Sequence, residues 1–183
     1  MLLTGLVILC SYSSFAQKAK YIGLTGTLET STKNSFKPGF GFQYEQRFTR
    51  RSGLETGLSF RNYLLGGVVT FSDASNSIIS SISVAERYLS IPALYKFHTK
   101  TVNISAGPSL ELYLGWKQTT PDPNYTIENY GIVPAFNLGL MVNVSKDIRI
   151  NEQFVLEPEV RWSPILTSRR NYLGLGVGAK YTL

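Results

Sequence analysis

Glu157 and Glu159 stand two residues apart, and Arg161 continues the same alternation. Two carboxylates on one face of a strand are the residue types that a general acid and base pair requires. Two bases compete for them: Arg161 on the same strand and Lys180 on the strand that follows. That composition favours ion pairing over catalysis. His98 is the single histidine and falls in a short turn, where it reads as an exposed turn residue rather than the base of a Ser/His/acid site. Asp73, Asp122 and Asp147 are far apart in loops or turns, and no His/Cys cluster offers a transition-metal site. Gly174, Gly176 and Gly178 form a GxGxG run, but no helix follows to hold a phosphate. These glycines read as space-makers beside crowded side chains. The residues thus give no catalytic, cofactor or metal site, and the chain is expected not to be an enzyme.

Charged residues spaced by two need strands to position them. Eight stretches alternate at period two: 20–29, 39–48, 54–61, 88–97, 102–116, 132–144, 154–163 and 172–183. Each is close to the ten residues that a tilted membrane-spanning strand requires. One face of every stretch is free of Asp, Glu, Lys and Arg, as in Ile22, Leu24 and Leu28, or Phe154, Leu156, Val160 and Trp162. The other face carries Glu29, Glu45, Arg47, Glu55, Arg61, Lys96, Glu111, Glu157, Glu159, Arg161 and Lys180. If that face is enclosed, every charge needs a partner.

Alternation alone fits a soluble barrel with an apolar interior as well as a membrane barrel with an apolar exterior. Aromatic residues at strand ends (Phe48, Phe60, Phe97, Trp116, Trp162, Tyr181) sit where interfacial girdles form. Short connections at 49–53 and 98–101 contrast with long polar ones at 65–85 and 117–131. Short turns at one end and long loops at the other are the outer-membrane pattern, and an even strand count leaves both termini in the periplasm. The expected fold is therefore all-β, an eight-stranded antiparallel up-and-down transmembrane β-barrel. Pro92, Pro108, Pro134 and Pro158 fall inside the proposed strands, and a closed barrel has no edge to hide a missing N–H. Bulges or rim positions are required there.

Composition agrees. The 183 residues are 43% hydrophobic and 16% charged, with 11 Tyr, 10 Phe and 16 Gly, which suits a β chain and excludes a disordered one. A mean hydropathy of -0.01 excludes a bundle of membrane helices. The net charge of +6 permits nucleic-acid binding, but no basic stripe interleaved with aromatics supports it. Residues 1–16 read as a signal peptide, an apolar run followed by Ser14-Phe15-Ala16, leaving 17–183 as the barrel domain. Cys10, the single cysteine, leaves with that segment.

The stretch Tyr88-Leu89-Ser90-Ile91-Pro92-Ala93-Leu94-Tyr95-Lys96-Phe97 resembles a strand motif of the Bacteroidota-type outer-membrane β-barrel family that includes PorT-like proteins. Ala106-Gly107-Pro108 is similar to the motif of that family's next strand, and residues 156–162 (LEPEVRW) to its penultimate one. The resemblance implies a bacterial outer-membrane location.

The expected function is that of an integral outer-membrane barrel with a structural role, or a binding role exercised through loops 65–85 and 117–131 toward other envelope proteins. Its lumen is expected to be filled by Arg47, Glu55, Lys96, Glu157, Glu159, Arg161 and Lys180, with Arg47 opposite Glu55. A small passive channel, a secretion-associated barrel and a soluble barrel that binds an apolar ligand are the alternatives.

Overall fold

A computed structural model describes residues 19–31, 36–73, 76–119, 134–168 and 170–183, with only the backbone described at 31, 65–73 and 76–82. Residues 1–18, and with them Cys10 and the signal-peptide reading, lie outside the described residues.

The strands are β1 (Lys20–Ser31), β2 (Lys37–Arg47), β3 (Ser52–Asp73), β4 (Asn76–His98), β5 (Asn103–Gln118), β6 (Phe136–Ser145), β7 (Ile148–Arg149), β8 (Phe154–Ile165) and β9 (Arg170–Thr182). Each long strand pairs antiparallel with its neighbours in sequence, and the sheet closes through β1–β9 and β6–β8. The result is a closed eight-stranded barrel, with the two-residue β7 added against the start of β8. The closing β1–β9 ladder runs unbroken from Tyr21↔Thr182 to Ser31↔Tyr172. Closure gives every long strand a hydrogen-bonded neighbour on both sides within the wall.

Side chains alternate about the wall as the sequence requires. Leu24, Phe42, Leu58, Leu138, Leu175 and Val177 are exposed on the outer surface, while Glu45, Arg61, Lys96, Glu111 and Lys180 are buried inside. β1 begins and β9 ends at the same end of the barrel, where Leu183 N–H donates to the carbonyl of Lys20 (2.9 Å). The short turns 47–52, 98–103 and 149–154 lie at the same end, each closed by backbone bonds such as Ile150 N to Phe154 O (2.9 Å). By the outer-membrane arrangement of short turns, this is the periplasmic end.

Several expectations need correction. Residues 65–73 and 76–85 do not form a loop; they pair as a continuation of β3 and β4 out to Asp73↔Asn76. Two strands that already pair in the wall extend their ladder past it with no new closure cost, despite the Ser- and Gly-rich sequence. The other proposed loop is shortened by Lys117 and Gln118, which belong to β5, and residues 120–131 lie outside the described residues. β6 begins at Phe136 rather than 132, so Pro134 precedes the strand.

The remaining prolines sit where the ladder is already interrupted. The β3–β4 pairing lapses between Thr56↔Ala93 and Ser59↔Ser90, around Pro92. The β4–β5 pairing lapses between Pro92↔Ser109 and Tyr95↔Ala106, around Pro108. Pro158 stands where β8 changes partner from β6 to β7. A bulge between Arg87↔Gly115 and Tyr88↔Tyr113 leaves Leu114 unpaired and puts Gly115 at φ 128°, a conformation that favours glycine. The extra residue reverses the phase of β5 beyond it. Trp116 therefore opposes the buried Glu86 and shares its inward face, rather than joining an outer girdle.

Candidate functional site: the ion-paired lumen

Inward positions of all eight long strands converge on a lumen packed in layers. The lowest layer lies near the periplasmic end. There Lys96 of β4 bonds Glu55 of β3 (2.7 Å), Glu157 of β8 (2.5 Å) and Glu45 of β2 (3.1 Å). Lys180 of β9 bonds Glu45 (2.6 Å) and also Glu157, which accepts a further bond from Ser145 Oγ (2.6 Å). Below them Arg47 spans the mouth from Glu45 (2.7 Å) to Asp147 (2.5 Å), on the turn after β6.

The middle layer centres on Arg61, which is fully buried. Its Nε bonds Glu29 of β1 (2.7 Å), Nη1 bonds Glu111 of β5 (2.9 Å) and Nη2 bonds Ser163 Oγ of β8 (2.5 Å). Ser90 donates to the same Glu111 carboxylate (2.7 Å). Beside this group, Arg161 bonds Glu159 (2.6 Å) and reaches Glu29 (3.7 Å).

Above Arg61 lies a lid of phenol rings. Tyr63 and Tyr172 stack with centroids 3.6 Å apart, Tyr88 packs at 5.3 Å, and the Arg61 guanidinium sits 4.9 Å from the Tyr63 centroid. The uppermost polar group joins opposite walls. Arg170 of β9 bonds Glu86 of β4 and the Tyr88 hydroxyl (2.9 Å), and Tyr88 donates to Glu86 (2.7 Å).

The glycines of β9 make this packing possible. A Cβ at Gly174 would lie 2.6 Å from Glu29 Cγ, and one at Gly176 would lie 2.6 Å from Glu159 Oε1 and 2.8 Å from its Cγ. A Cβ at Gly178 would come 2.9 Å from the Gln43 amide. The GxGxG run is thus a bare wall against which the polar side chains Glu29 of β1, Gln43 of β2 and Glu159 of β8 lie.

The seven lumen residues named from sequence divide as follows. Lys96, Glu55, Glu157 and Lys180 meet in one cluster, and Arg47 joins it through Glu45. Glu159 and Arg161 belong to the layer above. Arg47 is not opposite Glu55: the register puts it opposite Gly53 and sets Glu45 opposite Glu55. Glu157 binds both Lys96 and Lys180, which joins the charges of β4, β8 and β9 in one cluster. His98 is not an exposed turn residue; it closes β4, buried, with Nδ1 against Asn103 Oδ1 (3.0 Å) and Nε2 3.2 Å from Glu45. Sequence reasoning also missed Glu86, Arg170 and Asp147 as lumen residues, although the inward alternation Glu86, Tyr88, Ser90 could have found the first.

Three carboxylates, Glu45, Glu55 and Glu157, bring oxygens within 4.8 Å of one another, a spacing that could hold a cation. Lys96 Nζ already bonds all three, and Lys180 bonds two of them. The ammonium groups supply the charge a metal would bring. Glu157 spends its oxygens on Lys96, Lys180 and Ser145, and Glu159 bonds Arg161, so neither is poised as a free acid or base. The charged interior and apolar exterior are also the reverse of a soluble barrel that encloses an apolar ligand.

No family model matches the chain. No curated protein matches it in sequence. Solved structures do. The outer membrane protein OprG from Pseudomonas aeruginosa is 10% identical, with 93% of this chain and 98% of that chain covered, at a TM-score of 0.56. Neisserial surface protein A is 13% identical over 90% of this chain and 96% of that one, with a TM-score of 0.47. Ail, the attachment invasion locus protein of Yersinia pestis, is 14% identical over 91% and 97%, with a TM-score of 0.44. The likeness in architecture rests on OprG, and the apolar outer belt is the surface such a barrel turns to lipid. The chain has the fold of the bacterial outer-membrane β-barrels.

Proposed function

We propose that this chain is an integral outer-membrane barrel protein whose lumen is closed by ion-paired side chains, and that it acts as a structural or binding element rather than as an enzyme. The observation that carries the reading is the inversion of the wall. Leu24, Phe42, Leu175 and Val177 are more than half exposed outside, while Glu45, Arg61 and Glu111 are fully buried inside. Water would not tolerate that outer belt on a monomer, and a bilayer requires it.

Closure of the lumen is supported by contacts that cross it at successive heights: Arg47 to Asp147, Lys96 to Glu157, Arg61 to Ser163 and Arg170 to Glu86. Small barrels have interiors just wide enough for side chains to fill. Binding would then fall to the opposite end, where β3 and β4 extend as a paired hairpin toward Asp73 and Asn76. Together with the segment around 117–131 it would meet other envelope proteins. The motif at residues 88–97 supports placing the chain with the PorT-like barrels.

Carbonate extraction tests membrane residence. The protein should remain with the membrane fraction, and the folded form should shift on heating before electrophoresis. Release into the carbonate wash would overturn the reading.

A further inference from the structure

The periplasmic rim carries a group that the lumen does not use. Turn 47–52 presents Arg50 and Arg51, and turn 98–103 presents Lys100. Both turns are locked by the same device. Thr49 Oγ1 accepts from Arg51 N (3.1 Å) and Ser52 N (3.0 Å), and Thr99 Oγ1 accepts from Thr101 N (3.2 Å) and Val102 N (3.0 Å). His98 N–H donates to Arg51 O (2.8 Å), which ties one turn to the other.

Between them lies a cavity of about 540 Å³ lined by Arg50, Arg51, Phe97, His98, Thr99 and Lys100. Phe97 is 42% exposed on the lipid-facing side of β4, so this cavity opens where the apolar belt ends. Arg47 and His98 are committed inward to Glu45. Among the described residues, Arg50, Arg51 and Lys100 have no carboxylate partner, and Lys146 adds a further base to the adjoining cavity of about 190 Å³, which Arg50 and Lys100 share. Asp147 lines the smaller cavity but is paired with Arg47 (2.5 Å), and Glu152, in the turn after β7, lines neither.

We propose that this cavity binds the phosphate of an anionic phospholipid headgroup from the periplasmic leaflet, an inference that rests on the membrane-barrel reading above. Arg50, Arg51 and Lys100 supply the charge and the N–H donors, and Phe97 packs against the glycerol and upper acyl segment. Guanidinium groups suit phosphate through paired N–H donors, and basic pockets beside membrane-spanning elements are the usual headgroup sites. The apolar side of the cavity favours a lipid over free phosphate, which has nothing to place against Phe97.

Native mass spectrometry of the detergent-solubilised full barrel tests this, with dioleoyl phosphatidylglycerol, dioleoyl phosphatidylcholine and inorganic phosphate as separate probes. Selective retention of phosphatidylglycerol is expected. The triple variant Arg50→Gln, Arg51→Gln, Lys100→Gln should lose about 100-fold in that affinity, about fivefold for each neutralised base, while its heat-dependent gel shift is unchanged. Equal binding of the two lipids, equal binding of inorganic phosphate, or undiminished phosphatidylglycerol binding by the triple variant would each overturn the site. If the wild type itself shows no heat-dependent shift and fails to enter vesicles, the barrel reading fails and takes this site with it.

Discussion

Arg61 Nη2 and Ser163 Oγ meet at 2.5 Å from opposite walls of the barrel, one on β3 and the other on β8. The same guanidinium holds Glu29 and Glu111, so a single side chain ties four strands together at one height. A planar group with five donors is suited to this; an ammonium on the same stem could not reach three directions in one plane. Burying such a charge is costly, and only the complete set of partners offsets that cost.

Removing Arg61 therefore exposes the cost. Arg61→Met should destabilise the barrel by about 3–5 kcal/mol, because Glu29 and Glu111 stay buried without their shared partner. Ser163→Ala should cost less, about 1.5–3 kcal/mol, the range of a hydrogen bond to a charged group. Urea unfolding in lipid vesicles gives both values, and a larger loss for Ser163→Ala would contradict the assigned roles.

Lys96 is expected to matter more than any of its carboxylates. It alone joins Glu45, Glu55 and Glu157; Lys96→Met leaves Glu45 and Glu157 to Lys180 and Arg47 but strips Glu55 of its ion pair, and should cost about 3–5 kcal/mol. Glu55→Ala leaves Lys96 two partners and should fall below that figure, yet above the roughly 0.5 kcal/mol expected for the exposed Glu152→Ala. The same unfolding assay ranks the three.

Glycines on the two faces of the wall should respond in opposite ways. Gly174→Ala and Gly176→Ala push a methyl into Glu29 and Glu159 and should lower the midpoint of unfolding. A Cβ at Gly26 meets nothing within 4 Å, so Gly26→Ala should be neutral or stabilise by up to about 1 kcal/mol through the unfolded chain. Thermal melts followed by circular dichroism test this pair of signs.

The outer belt predicts a dependence on depth. Val177 lies midway along the outer face of β9, and Leu183 lies at the periplasmic end. Val177→Arg should cost about 2–4 kcal/mol in a bilayer, and Leu183→Arg about 0–1 kcal/mol. Equal costs in vesicle unfolding would show that β9 does not cross the membrane.

Much of this was legible because period-two alternation carries the face of every side chain: Arg61, Lys96 and Glu157 were marked as inward by their apolar neighbours. Register was not legible to the same degree. A slip of two residues keeps each face and changes every partner, which is why Arg47 was set against Glu55 when Glu45 occupies that place. The bulge at Leu114 has no strong sequence mark beyond Gly115, so the inward turn of Trp116 was hidden. The hairpin extension of β3 and β4 reads as loop because its Ser and Gly residues mimic one; pairing already established in the wall overrides that local preference. Glu86 and Arg170 were passed over because they lie beyond the apolar belt, where no outer residue announces the inner phase.

The closed lumen is the central claim, and planar-bilayer recording of the refolded full chain measures it most directly. The network from Arg47–Asp147 up to Arg170–Glu86 predicts no stable conductance of porin size, whatever the sign of the applied potential. Steady porin-sized steps from the wild-type barrel would contradict it and make the protein a channel.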